Sequence, residues 1–227
     1  MLKKVAIVVF LFSILLNCYS QQISNEKVIT AIENSTIDDA ISTLKTILKD
    51  PKIITDECAE VYFALAQLLE QQGNFLEACQ YYTNASALEG THTINGQNLL
   101  LNAVRCSLFV ADVLRADFLL STGIPEPQNN EIRSRANMYA VWSWLLKIQT
   151  QEELLGPISV LETYVTLDTM IEFRPTILLV LNNYTENPRW KSQLLRDFPL
   201  SPEATLVNGE TSIAPSPFWC FNYSVLK

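Results

Sequence analysis

The sequence predicts an all-α protein built as an array of helical hairpins. Three observations carry this. Apolar residues recur at three- and four-residue steps over most of the chain. A Gly-Asn pair breaks one such run, and a second run begins at once. A small residue then recurs 38 positions apart, at Ala40, Ala78 and Ala116. Composition agrees. Apolar residues make up 48% of the 227, enough for a sizeable core, and the 18% that are charged argue against disorder. Only six glycines are present, which suits helices better than a turn-rich sheet.

The clearest hairpin is DECAEVYFALAQLLEQQGNFLEACQYYTNASALEG, residues 56–90. Val61, Ala64, Leu65, Leu68 and Leu69 form one stripe, and Phe75, Ala78, Tyr82, Ala85 and Leu88 form a second. Gly73 can take the left-handed conformation that ends the first helix, and Asn74 suits the turn into the next. Upstream, residues 26–33 and 36–51 read as a helix pair, with Asp38 and Asp39 at a helix start and Lys49 and Pro51 at its end. Downstream, residues 98–125 repeat the plan with Ala111-Asp112-Val113 at the turn, after a polar insertion at 91–97. A connector at 126–131 precedes a helix over 132–149. The run 151–167 contains Pro157, which marks either a helix start or a kink. Residues 175–184 and 188–198 make a last short pair.

The 56–90 segment resembles the tetratricopeptide repeat. The residues that carry the resemblance are Tyr62, Leu65, Ala66, Gly73-Asn74-Phe75, Ala78, Tyr82 and Ala85; Gly90 stands where the family has a closing proline. The resemblance implies a right-handed α-solenoid over 24–204, in which small residues let helices approach and aromatics fill the gap to the next hairpin. Residues 196–204, RDFPLSPEA, are similar to a repeat boundary in bacterial envelope proteins of this family. The last segment, 205–227, carries Pro215, Pro217 and a Phe218, Trp219, Phe221, Tyr223 cluster. It reads as an extended tail that either covers the last hairpin or is recognised by a partner.

The amino terminus reads as a separate object. Lys3 and Lys4 precede 12 mostly apolar residues, too few for a membrane span and right for a signal peptide over 1–17. LLNC resembles a bacterial lipobox of the relaxed, spirochete-like kind. It implies lipid on Cys18, a tether over 18–23, and a membrane-anchored lipoprotein facing the periplasm. Tyr19, in place of Asp, favours the outer membrane. Cleavage after residue 17 leaves 14 basic and 24 acidic residues, a net charge of −10, which disfavours nucleic acid as a partner. Cys58, Cys79, Cys106 and Cys220 then remain, as buried thiols or, in an exported chain, as disulfides.

Catalytic chemistry finds no support in the residue pattern, and the chain reads as a non-enzyme. His92 is the single histidine, and no phosphate loop, HExxH or CxxC occurs, so no metal or cofactor is implied. Glu152-Glu153 and Asp38-Asp39 are explained by the helix dipole. The four Asn-x-Ser/Thr sequons, at Asn34, Asn84, Asn183 and Asn222, are chance in a bacterial lipoprotein. Trp142 and Trp144 point about 200° apart on one helix, so either both lie in a central helix or one faces a groove. The repeat resemblance implies a concave face lined by Phe63, Gln67, Glu70 and Gln71 of the clear hairpin and by Leu101, Asn102 and Arg105 of the next. The function it implies is an adaptor for a protein or peptide of the bacterial cell envelope. The alternative is an accessory ligand-binding subunit of a solute transport system, with an apolar pocket in the array. Oligomeric state is not fixed by the sequence.

Overall fold

The structure, a computed structural model, describes residues 25–33, 35–185 and 187–211. Its helices are α1 (Glu26–Glu33), α2 (Ile37–Ile47), α3 (Thr55–Gln71), α4 (Phe75–Glu89), α5 (Ile94–Phe109) and α6 (Val113–Gly123). They continue with α7 (Asn130–Lys147), α8 (Leu155–Tyr164), α9 (Arg174–Tyr184), α10 (Arg189–Asp197) and α11 (Pro202–Val207). Two 3-10 turns, Glu152–Leu154 and Asp168–Phe173, lead into α8 and α9. No strand occurs among the described residues. Each helix packs on the next along the chain, and α1 also meets α3 while α5 also meets α7. This is the all-α array that the hydrophobic periodicity predicts.

Short polar side chains set the helix starts. Thr36, Asn74, Thr93, Asp112, Asn129 and Ser201 each accept a backbone N–H from the first turn of their helix. Pro157 falls in the first turn of α8, where a missing N–H costs nothing, so it starts a helix and does not kink one.

The turn within a hairpin is built the same way twice. After α3, Gly73 has φ 78°; its N–H donates to the Glu70 carbonyl at 2.9 Å, and Asn74 N–H donates to the Leu69 carbonyl at 2.8 Å. After α5, Ala111 has φ 55°; its N–H reaches the Leu108 carbonyl at 3.0 Å, and Asp112 N–H reaches Ser107 at 2.9 Å. Both are Schellman closures, which satisfy the last helical carbonyls through one left-handed residue. Stacked rings of Phe75 and Phe109, with centroids 4.4 Å apart, join these two turns.

The core follows the small-residue logic. Ala66, Ala78 and Ala85 are fully buried, as are Leu65 and, to within 2%, Tyr82. Trp142 is in the core while Trp144 is 41% exposed, which settles their division on α7. Gly96 lies in the first turn of α5 because Gly90 passes beside it. A Cβ there would collide with the Gly90 carbonyl oxygen.

Three features differ from the sequence reading. Helix α5 starts at Ile94, inside the stretch read as an insertion, because Thr93 caps it. The 3-10 turn before α9 gave no periodic signal. Helix α11 takes in residues 205–207, the first residues of the segment read as an extended tail. The proposed leader, Cys18, the tether and the aromatic cluster of the tail lie outside the described residues.

Ala111 is the weak member of the turn pair, because a Cβ in the left-handed region costs about 1 kcal/mol. Ala111→Gly therefore raises stability by about 0.5–1 kcal/mol in urea unfolding with an unchanged m-value.

Candidate functional site

The seven residues proposed to line the inner face lie on α3 and α5. Gln67, Glu70 and Gln71 are three and four residues apart, so α3 presents them together. The structure joins the two helices through charge. Arg105 Nη2 lies 2.8 Å from Glu70 Oε1 and 2.9 Å from Oε2. Tyr82, from α4, donates its hydroxyl to Glu70 Oε2 at 2.9 Å. One carboxylate thus receives a guanidinium and a phenol from two different helices. The Tyr82 ring also lies against Phe63, with centroids 6.2 Å apart.

The electrostatics follow from this crowding. Burial by itself would lower the Arg105 pKa, but Glu70 together with Tyr139, Tyr82 and Cys106 outweighs it and holds the guanidinium charged, above its ordinary value. Burial, reinforced by Glu70, pushes the Tyr82 phenol well up. The same two causes raise the Cys106 thiol, so it is not a nucleophile at neutral pH. Cys79 shares a 3.3 Å contact with the Ser107 hydroxyl. Cys58, Cys79 and Cys106 are free thiols.

The inner face divides on inspection. Phe63, Leu101 and Asn102 are no more than 4% exposed, so they belong to the core and do not line an open surface. Their side chains point between helices, where neighbouring hairpins cover them. What reaches solvent is Gln67 in part, the exposed Gln71, and the edges of Glu70 and Arg105. The amides of Gln67 and Gln71 make no hydrogen bond among the described residues, whereas the Glu70 carboxylate is held by Arg105 Nη2 and the Tyr82 hydroxyl. Behind them, Asn102 Oδ1 and Arg105 Nε are buried without a partner among the described residues. Polar atoms so placed call for a water or a ligand atom.

Sequence reasoning missed the role of Tyr82, which was read as a packing aromatic; the hydroxyl that distinguishes it from Phe was the available signal. It also missed Gln97, buried on α5, whose amide donates to the Glu126 carbonyl at 3.0 Å and accepts from Gln128 N–H at 2.9 Å. That side chain pins the connector before α7. His92 is exposed in its loop, and Glu153 caps the Gln149 N–H at 2.8 Å. Among the described residues, no three potential ligands gather as a metal would require. No helix among them is long and apolar enough to cross a membrane.

Residues 146–224, about a third of the chain, match the model of a family described as the TP_0752_M middle domain. The family is named for a spirochete protein, and the match fits a spirochete-like chain. No curated protein and no solved structure matches the chain.

Removing Glu70 would strand Arg105 and Tyr82 in a low-dielectric junction. Glu70→Ala is therefore expected to cost about 2–4 kcal/mol. Lys147→Ala, which breaks the exposed pair with Asp117 and leaves the Ser143 hydrogen bond in place, would cost under about 1 kcal/mol. Urea midpoints of the two variants test the contrast, and similar midpoints would contradict it.

Proposed function

We propose that this chain is a non-catalytic adaptor of tetratricopeptide-like hairpins, anchored through lipid on Cys18, that holds a protein or peptide of the bacterial cell envelope. The observation that carries this reading is the pair of amides at Gln67 and Gln71 that make no hydrogen bond among the described residues, beside the Glu70–Arg105 ion pair. Free amides one turn apart offer both donors and acceptors to a partner's backbone. The ion pair beside them fixes their helix without competing for the same partner. The stacked hairpins supply a rigid platform, and the residue pattern offers no reactive group for turnover. The periplasmic location rests on the lipobox resemblance, and outer-membrane sorting rests on Tyr19.

A photo-crosslinking residue placed at Gln71 should yield a discrete adduct with an envelope protein, lost when Gln67→Ala is added. The same residue at the highly exposed Leu200, at the far end of the array, should not yield it. Identical adducts from both sites would remove the inner-face assignment.

Growth with labelled fatty acid should label the wild-type chain and leave Cys18→Ala unlabelled. Label retained in that variant would refute the anchor.

A further inference from the structure

The end of the array carries a second surface, separate from the Gln67–Gln71 face. A stacked array of helices needs a polar outer face on its last member, because no further hairpin covers it. The last described elements, α10 and α11, present apolar side chains instead. Leu195 of α10, Phe198 at its end, and Leu206 and Val207 of α11 pack against the core yet stay partly exposed. Leu200, in the link between the two helices, is 94% exposed. Lys191, Leu195 and Phe198 recur at four and three residues, so they share one flank of α10. Lys191 Nζ donates to the Val207 carbonyl of α11 at 3.4 Å, which places α11 on that flank.

The chain itself supplies an occupant. The described residues end at Thr211, four positions after α11. Residues 212–227 hold four aromatic side chains and a single charged one, Lys227. Segments that remain in water are poor in aromatics and rich in charge, so this composition calls for an apolar surface. Pro215 and Pro217 favour an extended path. They also remove two N–H groups that would lack partners over helix side chains. The flank of α10 and α11 is within reach. Seven residues lead from Thr211 to Phe218 and span up to about 23 Å, whereas α10 is about 14 Å long. The family model takes in α8 to α11 and the tail to Ser224 in a single match. That continuity joins the tail to these helices rather than to a partner.

We infer that residues 212–224 fold back over the α10–α11 flank and cap the array, with Phe218 and Trp219 against Leu195, Phe198 and Leu206, and with Cys220 beside Lys191. The tail takes the place of the hairpin that would come next, and its aromatics are withheld from other proteins. This cap stands whether or not the Gln67–Gln71 face holds a peptide.

The test uses the full chain in detergent. Lys191→Cys places a thiol on the flank, and Arg196→Cys places one about 140° away around α10. Both positions are exposed, and circular dichroism would verify that the variants fold. After brief oxidation with copper phenanthroline, peptide mass spectrometry should find Cys220 joined within one chain to position 191 at least tenfold faster than to position 196. Phe218→Ser combined with Trp219→Ser should slow the link to position 191 at least tenfold. Equal rates at the two positions, or a rate indifferent to the aromatic pair, would each overturn the inference. A link formed between two chains would show the tail docked on a second copy and would overturn the intramolecular cap.

Discussion

The partial burial of Arg105 is the constraint on which the middle of this array depends. Removing a guanidinium from water costs several kcal/mol, and that cost is offset only where geometry supplies an opposite charge. Glu70 supplies it from α3, and Tyr82 holds the same carboxylate from α4. A slip of α5 by one turn would leave three polar groups stranded. Apolar packing alone would tolerate such a slip far better, because leucines and alanines recur along every helix. The ion pair therefore acts less as a source of net stability than as a register mark between successive hairpins.

That register also decides which polar groups are committed. On the inner side it spends the charges of Glu70 and Arg105 on each other and leaves the glutamine amides uncommitted. Further along the chain, Asp117 ties α6 to α7 through Ser143 and Lys147, and Gln97 fixes the connector before α7.

The hairpin plan was readable because it is local. Gly73-Asn74, the capping residues and the three-four spacing are properties of adjacent residues, and they place α1 to α4 closely. The start of α5 was harder to read, because Gly96 looks like a loop residue until the Gly90 carbonyl is seen beside it. The division of the inner face was unreadable for the same reason. Phe63 and Gln67 are one turn apart on one helix, and only the neighbouring hairpin decides which of them is covered. The region from α8 to α11 carried the faintest periodicity, with two 3-10 turns and a six-residue helix. It lies within the part of the chain that matches the spirochete-named family.

The two ends of each hairpin are not equivalent. The turns after α3 and α5 are three residues long, closed by the same hydrogen bonds and joined by the Phe75–Phe109 stack. The links after α2, α4 and α6 are longer and differ from one another. The 38-residue spacing exceeds the roughly 34 residues of a minimal repeat, and the surplus lodges on that second margin. Length variation among related chains should therefore accumulate along one border of the slab, where loops can lengthen into new contact elements, while the opposite border stays a sealed hem.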